Sequence, residues 1–356
     1  MRILFVVDAF RGGAGNVIQI LSREFKRRGN DCVILLTNGK IAEPKYDLTG
    51  IKVIDYKLEE HIHAKNAADR IIKYTKELKT KFHEIQPDAI ISFLTTNNIL
   101  SCMANDLNVP LLVSERIDPF KAHTKIHWRL LRKIYYARAK KIIVQCSNFE
   151  DFFTGQLKKK TVTIANPIIT PVNDYQAREN HGNIIFISIG RITEQKNFPW
   201  MCDRMKEIHN QHECVELRIF GNGDKEEYLR DYIKKNDMED YVKLMGYTDN
   251  PYSELQNADI YLMTSDYEGF PNSLSEAMAV GLPSVSRMCH SGIQDLVKDS
   301  INGYLVAMED KAGFVAKCVE LASSVEQRKE ISEKAKEISY QYSVERIVAR
   351  WESLIS

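Results

Sequence analysis

Short apolar runs alternate with amphipathic stretches along almost the whole of this chain, and the alternation begins again after a polar gap. No other feature restricts the fold as much. Brief runs rich in β-branched and aliphatic residues, separated by stretches of helical periodicity, make parallel strands joined by crossover helices. The pattern predicts strands at 2–7, 32–36, 51–54, 89–93, 111–114 and 141–145, with helices near 14–28, 66–85, 97–106 and 125–139. It resumes with strands at 184–189, 215–220, 241–245, 259–263, 283–286 and 304–306. The helices there fall near 197–209, 224–236, 251–256, 273–280, 292–297 and 311–322. A charged helix over 326–338 and a last one near 343–355 follow. Between the halves, Asn166-Pro167 through Gly182 is polar, contains proline and has no periodicity, so it reads as a linker. The expected fold class is α/β, with two Rossmann-like doubly wound domains facing a cleft at the carboxyl ends of their strands. Their expected bounds are 1–168 and 183–340, with a linker at 169–182 and a C-terminal helix, 341–356, crossing back to the first domain.

A chain of 356 residues is long enough for two such cores. It has no run of eighteen apolar residues, so no spanning helix is predicted. Its seven scattered cysteines contain no C-x-x-C pair, which speaks for reduced thiols in a cytoplasmic protein and against a disulfide framework or a zinc site. The net charge of +1 conceals a division: residues 1–170 hold 28 Lys+Arg against 17 Asp+Glu, and the remainder 21 against 31. A basic first half suits an anionic partner. The cations are not interleaved with stacking aromatics, so no nucleic acid is expected, and an anionic membrane surface or a phosphorylated acceptor fits better.

The chemistry concentrates in a few loops. Glu268-Gly-Phe-Pro-Asn-Ser-Leu-Ser-Glu276 places one carboxylate on a Gly/Pro turn and a second, eight positions on, in the helix that the turn opens. Gly269 and Pro271 break the preceding strand, and Gly281 and Pro283 stop the helix. Free N–H groups in its first turn favour a phosphate, and flanking carboxylates suit the hydroxyls of a nucleotide-sugar. The same pattern is equally that of a solvated helix cap. Arg191 and Lys196, in a βα loop after Ile189-Gly190, can converge on a pyrophosphate or simply be solvated. Glycine turns at 221–223 and at Gly246-Tyr247 follow further strands, the latter offering backbone groups to a flat base. Arg11-Gly-Gly-Ala-Gly-Asn16 opens the first helix. A dinucleotide fingerprint needs a third glycine where Ile18 stands, so a nicotinamide site is disfavoured.

In order and spacing, these motifs resemble the nucleotide-binding domain of glycosyltransferase family 4. The matching residues are Gly190-Arg191 with Gln195-Lys196-Asn197, Gly221-x-Gly223 with Leu229, Gly246, Ser265, Glu268-Gly-Phe-Pro-Asn272 with Glu276, Ala277-Met278-x-x-Gly281-x-Pro283, and Asn302-Gly303. Gly12-Gly13-Ala14, Ser114-Glu115-Arg116 and Tyr342-Ser-x-Glu345 extend the likeness over nearly the whole chain. The resemblance implies a GT-B fold and a retaining transfer of a hexose or N-acetylhexosamine from a UDP-sugar, with no cofactor and no metal. It implies that Arg191 and Lys196 hold the donor diphosphate, that Glu276 grips the ribose, and that Glu268 orients the transferred sugar. Phe270, Pro271, Asn272 and Ser273 would line sugar and phosphate. Gly190 would lie at the diphosphate, Gly246 and Tyr247 would frame the base, and Gly12 and Gly13 would close on the diphosphate from the first domain. A glycan or polyprenyl-linked acceptor is implied, as in surface polysaccharide assembly, with the protein peripheral to the inner face of the membrane. Rival readings are a nucleotide-sugar epimerase or hydrolase, and a non-catalytic nucleotide-sugar-binding protein. The chain departs from the family at Gly15-Asn16 and at Ser291-Gly-Ile-Gln-Asp295, both near the donor sugar, so the sugar's identity is not implied.

On the acceptor side the candidates are Glu115, Arg116 and Asp118, at the end of a strand, and His127. A strand-end ion pair explains the first three equally well. His123 and His127 stand four apart, a spacing that can bind metal, but no third ligand accompanies them. The stretch from Trp128 to Lys141 is basic and amphipathic. Its apolar face is expected to pack under the sheet, while its cations, with Lys26-Arg-Arg28 and Lys158-Lys-Lys160, could face anionic lipid.

Overall fold

The computed structural model describes residues 1–10, 12–39, 46–58, 62–121, 125–169 and 182–355. Arg11, His61, His123 and most of the expected linker lie outside the described residues. The chain divides into two compact units. The first comprises Met1–Pro167 together with Val344–Ser356, and the second Ile168–Ser343.

The first unit is built on a parallel sheet of seven strands: β1 (Arg2–Val7), β2 (Asp31–Leu36), β3 (Lys52–Asp55), β4 (Ala89–Phe93), β5 (Leu111–Ser114), β6 (Lys141–Val144) and β7 (Thr161–Thr163). Their order is β3-β2-β1-β4-β5-β6-β7. The helices are α1 (Gly12–Arg27), α2 (Ala67–Ile85), α3 (Thr95–Ala104), α4 (Ile126–Tyr135) and α5 (Gly155–Lys160). In α1, Val17, Ile18, Leu21 and Phe25 recur at helical spacing and are buried. In β1 everything from Ile3 to Val7 is buried, as a central parallel strand covered on both faces must be. The sequence pattern missed β7 and α5. The strand is a three-residue edge of half-buried threonines and valine, too short and too polar to stand out.

The second unit repeats the plan with β8 (Ile184–Ile189), β9 (Val215–Phe220), β10 (Val242–Gly246), β11 (Ile260–Met263), β12 (Ser284–Arg287) and β13 (Tyr304–Val306), ordered β10-β9-β8-β11-β12-β13. Its helices are α6 (Phe198–Gln211), α7 (Glu226–Lys235), α8 (Pro251–Gln256), α9 (Asn272–Ala279), α10 (Ile293–Leu296), α11 (Lys311–Ser323), α12 (Val325–Ala335) and α13 (Glu337–Gln341). The expected single helix over 326–338 is thus two, parted at Lys336. The chain then re-enters the first unit as α14 (Val344–Ile355), where Trp351 is fully buried against Phe93, with ring centroids 6.1 Å apart. In each unit the strand order reverses beside the first strand, between β1 and β4 and between β8 and β11. The loops leaving such a pair diverge and open a crevice at the carboxyl ends of the strands.

The expected packing of α4 under the sheet holds for one of its two apolar stripes. Along α4 the inward face is Trp128, Leu131, Arg132 and Tyr135, and Arg132 is 2% exposed. The aliphatic Ile126, Leu130 and Ile134 face outward instead, at 71%, 53% and 59% exposure. The cause is Glu115, buried at the end of β5, which draws the guanidinium in. Arg132 Nε lies 3.1 Å from its Oε1.

Candidate active site

At the reversal point of the second unit, the loop after β8 and the loop after β11 are stitched together. Asp266 N donates to Gln195 O (2.9 Å), Gln195 Nε2 to Tyr267 O (2.7 Å), and Thr264 Oγ1 to Lys196 O (3.1 Å). Asn197 Nδ2 and Arg287 Nη1 both donate to Asp266 Oδ1, at 3.0 and 3.1 Å. Arg287 is buried at the end of β12, lies over the Trp200 ring at 4.4 Å, and also donates to the backbone oxygen of Thr264 (2.9 Å). These braces were not legible in the sequence, where Asp266 and Arg287 stand in no motif with each other. The loop after β12 joins the assembly through Gly292 N, which donates to Gly269 O at 3.1 Å.

The stitching brings Lys196 and Glu268 face to face. Lys196 Nζ donates to Glu268 Oε1 at 2.7 Å, with the two side chains 19% and 10% exposed. Ser265 Oγ donates to the same oxygen at 2.7 Å. Burial alone would depress the Lys196 ammonium, but the Glu268 charge and hydrogen bond outweigh it and hold its pKa above the ordinary lysine value. Two consequences follow from the donor inventory. Oε2 of Glu268 has no hydrogen-bond partner among the described residues, and Lys196 keeps two of its three N–H donors for another anion.

Glycines shape the floor. A Cβ on Gly190 would come within 3.0 Å of Lys196 Cε, so the lysine stem crosses a position that has no side chain. Gly221 has φ +142°, and a Cβ there would lie 1.9 Å from Gly190 O. Its N–H donates to Gly246 O at 2.7 Å and Gly190 N donates to Phe220 O at 2.9 Å, which together tie the ends of β8, β9 and β10. Gly221→Ala is therefore expected to destabilise the second unit by about 1–3 kcal/mol through backbone strain, read as a lower melting temperature. An unchanged melting temperature would show that the three strand ends are not locked as described.

Phe270 and Pro271 are buried, and the Phe270 ring meets Tyr342 edge-on at 6.0 Å. Asn272 opens α9, Ser273 Oγ accepts from Tyr261 OH (2.7 Å), and Glu276 lies half-buried one turn further on. Burial and the Glu276 charge together push the Tyr252 phenol up, which places that carboxylate beside α8. Arg191 is exposed on the loop after β8, Gly246 closes β10 at φ +75°, and Tyr247 beyond it is 51% exposed.

The first-unit candidates are placed differently. Both carboxylate oxygens of Glu115 are engaged inside the unit: Oε1 accepts from Tyr136 OH (2.6 Å) and lies near Arg132, and Oε2 accepts from Thr95 Oγ1 (2.7 Å). Arg116 is buried, donates to Asn166 Oδ1 (2.7 Å) and lies over the rings of Phe93 and Trp351 at 4.9 and 5.5 Å. Asp118, fully buried, accepts from Phe120 N at 2.8 Å and shapes the turn. His127 is exposed on α4. Gly12 and Gly13 form the first turn of α1 after β1. Beside them Gly15, one of the departures from the family pattern, is covered by Tyr46, whose hydroxyl would be 2.7 Å from a Cβ at that position.

The known proteins that this chain is similar to include several glycosyltransferases. The glycosyl transferases group 1 family model matches residues 171–338. The amylovoran biosynthesis glycosyltransferase AmsD of Erwinia amylovora is 25% identical over 373 aligned positions, covering 100% of this chain and 99% of its own. The GalNAc-α-(1→4)-GalNAc-α-(1→3)-diNAcBac-PP-undecaprenol α-1,4-N-acetyl-D-galactosaminyltransferase of Campylobacter jejuni is also 25% identical, covering 100% and 98%. Among solved structures, a TarM variant of S. aureus in complex with fondaparinux, α-GlcNAc-glycerol and UDP superposes with a TM-score of 0.79 at 15% identity, covering 100% of this chain and 99% of that one. The second unit is thus similar to glycosyl transferases group 1 over the matched residues, and the chain has the GT-B fold of two Rossmann-like units.

Proposed function

We propose that the chain is a retaining, metal-independent glycosyltransferase of bacterial glycan assembly. In this reading it moves a hexose or N-acetylhexosamine from a UDP-sugar to a glycan or polyprenyl-linked acceptor. The observation that carries the proposal is the Lys196–Glu268–Ser265 cluster beside the start of α9, at the reversal point of a doubly wound sheet. Arg191 and the two remaining Lys196 donors hold the diphosphate, with the α9 N-terminus adding its partial positive charge. Oε2 of Glu268 accepts a hydrogen bond from a sugar hydroxyl, and Glu276 takes the ribose. Backbone from Phe270 to Ser273 lines sugar and phosphate, while Gly190 gives the diphosphate room and Gly246 and Tyr247 border the base.

Transfer breaks the bond from the anomeric carbon to the phosphate oxygen and forms one to the acceptor oxygen. The acceptor's proton passes to the leaving phosphate on the same face, which retains configuration. Fixed cations stabilise the charge that develops on the departing diphosphate, so a metal is not called for. UDP is also the nucleotide named with the TarM variant, and AmsD, by its name, serves amylovoran biosynthesis.

The test is nucleotide release from UDP-, GDP- and ADP-sugars, with and without a bacterial lipid extract, repeated in excess chelator. Release from a UDP-sugar that rises with extract and survives chelation is expected, and the product anomer by NMR should match that of the donor. An isomerised or merely hydrolysed sugar would identify an epimerase or hydrolase instead. A rise in melting temperature with UDP but no turnover with any acceptor would leave a binding protein.

A further inference from the structure

One buried cation beside the Lys196–Glu268–Ser265 cluster touches none of the groups assigned to the donor. Arg287 ends β12, a strand whose four residues are all buried. Its Nη1 donates to Thr264 O (2.9 Å) and Asp266 Oδ1 (3.1 Å), and its Nε to Met308 O (3.1 Å), beyond β13. The guanidinium lies 4.4 Å over the ring of Trp200, in the first turn of α6. Burying a guanidinium is costly, and its one carboxylate partner among the described residues, Asp266, is 42% exposed. An aliphatic side chain would fill the end of a buried strand at less cost. What it could not do is hold several segments at once through donors fixed in one plane.

The segments held by Arg287 are those that carry the cluster. Thr264, whose carbonyl accepts from Arg287, sets its hydroxyl against Lys196 O and Asn197 O, at 3.1 and 3.3 Å. Ser265 follows and donates to Glu268 Oε1, and Asp266 N donates to Gln195 O. Asn197, next to Lys196, takes φ +50°, a left-handed backbone that its surroundings must hold. The loop bearing Lys196 is thus joined to β12 through Thr264 and Asp266, and both bonds to β12 end on one nitrogen of Arg287.

Given the donor assignment proposed for this site, we infer that Arg287 is a positioning residue for Lys196. It fixes the loops after β8 and β11 so that the two remaining Lys196 donors meet the diphosphate, and does not touch the ligand itself.

The experiment is calorimetric titration of the full chain with UDP and with uridine, which differ in the diphosphate that Lys196 holds. Arg287→Lys keeps the positive charge but loses the planar fork that reaches Thr264, Asp266 and Met308 together. It is expected to weaken UDP about tenfold, the scale of one hydrogen bond to a charged group, and to leave uridine within about twofold of the parent. In a Lys196→Ala background the same change should cost UDP less than about twofold, because the residue being positioned is gone. Thr264→Val removes only the hydroxyl set against Lys196 O, and should weaken UDP in the same selective way. Retained uridine affinity shows that each variant is folded. A parent that binds neither ligand would refute the donor assignment and this role with it. A parent that binds UDP, with Arg287→Lys within about twofold of it or losing both ligands equally, would overturn the role of Arg287 alone. So would losses that multiply in full when Arg287→Lys is combined with Lys196→Ala, the mark of a side chain that merely supports the fold.

Discussion

Lys196→Ala is expected to lower kcat by about 10²–10³, the scale of removing one preorganised donor from a developing oxyanion. The loss should fall on turnover more than on KM, because charge on the diphosphate is greatest as the bond breaks. Lys196→Arg should not restore it. The ammonium is a compact point charge whose stem crosses the bare Gly190 Cα, whereas a guanidinium is planar and wider. Glu268→Ala should cost a similar factor. The double variant should fall short of the product of the two, because each residue orients the other through the 2.7 Å bond. Steady-state assays with the donor identified by nucleotide release would settle this. Turnover by Lys196→Ala within tenfold of the parent would remove the lysine from the chemistry.

The pH dependence follows from the same pair. The folded state holds the Lys196 pKa above its unfolded value. Its stabilising contribution is therefore complete below the ordinary lysine pKa and disappears only as pH rises through the raised one. Deprotonation of Lys196 should accordingly not limit activity near neutral pH. An activity profile falling on an alkaline limb well below the lysine range would point to another group.

The second large effect is on stability. Arg132→Leu should leave the Glu115 carboxylate buried with only the hydroxyls of Tyr136 and Thr95, and cost about 3–5 kcal/mol. For a unit of this size that is a fall of roughly 10 °C in melting temperature. Combining it with Glu115→Gln removes the unpaired charge, keeps an acceptor for Tyr136 OH and offers Thr95 Oγ1 an amide N–H in place of the one Arg132 donates, and should recover more than half of the loss. A melting temperature lowered by less than about 2 °C in Arg132→Leu would mean that the pair does not fix α4.

How much could be read beforehand differs sharply between the units. Both sheets were legible, because parallel strands covered on two faces are written as unbroken apolar runs such as Ile3–Val7 and Ile184–Ile189. The glycine turns at the ends of β9 and β10 were legible too, since Gly221 and Gly246 take the positive φ that favours glycine. The orientation of α4 was not. Two apolar stripes recur at helical spacing, one of Trp128, Leu131 and Tyr135 and one of Ile126, Leu130 and Ile134, and a buried carboxylate eleven residues upstream of the helix start selects the first. No local pattern shows that a buried ion pair will make that choice. The stitching of Asp266 by Arg287 and Asn197 is hidden for a related reason. β12 reads as an ordinary short strand, and nothing in Ser-Val-Ser-Arg says that all four residues are buried.

Trp351 carries a consequence for synthesis. It fills the space against Phe93 and Arg116 that completes the first core. On the ribosome, α14 follows residues 168–343, the whole of the second unit. At typical elongation rates the first sheet therefore waits roughly 10–35 s with its last piece unmade. In that interval Phe93 faces an open gap, and Arg116 lacks one of the two rings that cover it. The nascent first unit should be a chaperone client and sensitive to protease until translation passes Ile355. Residues 1–167 expressed alone should remain in that state, and supplying 344–356 as a separate peptide should restore protection.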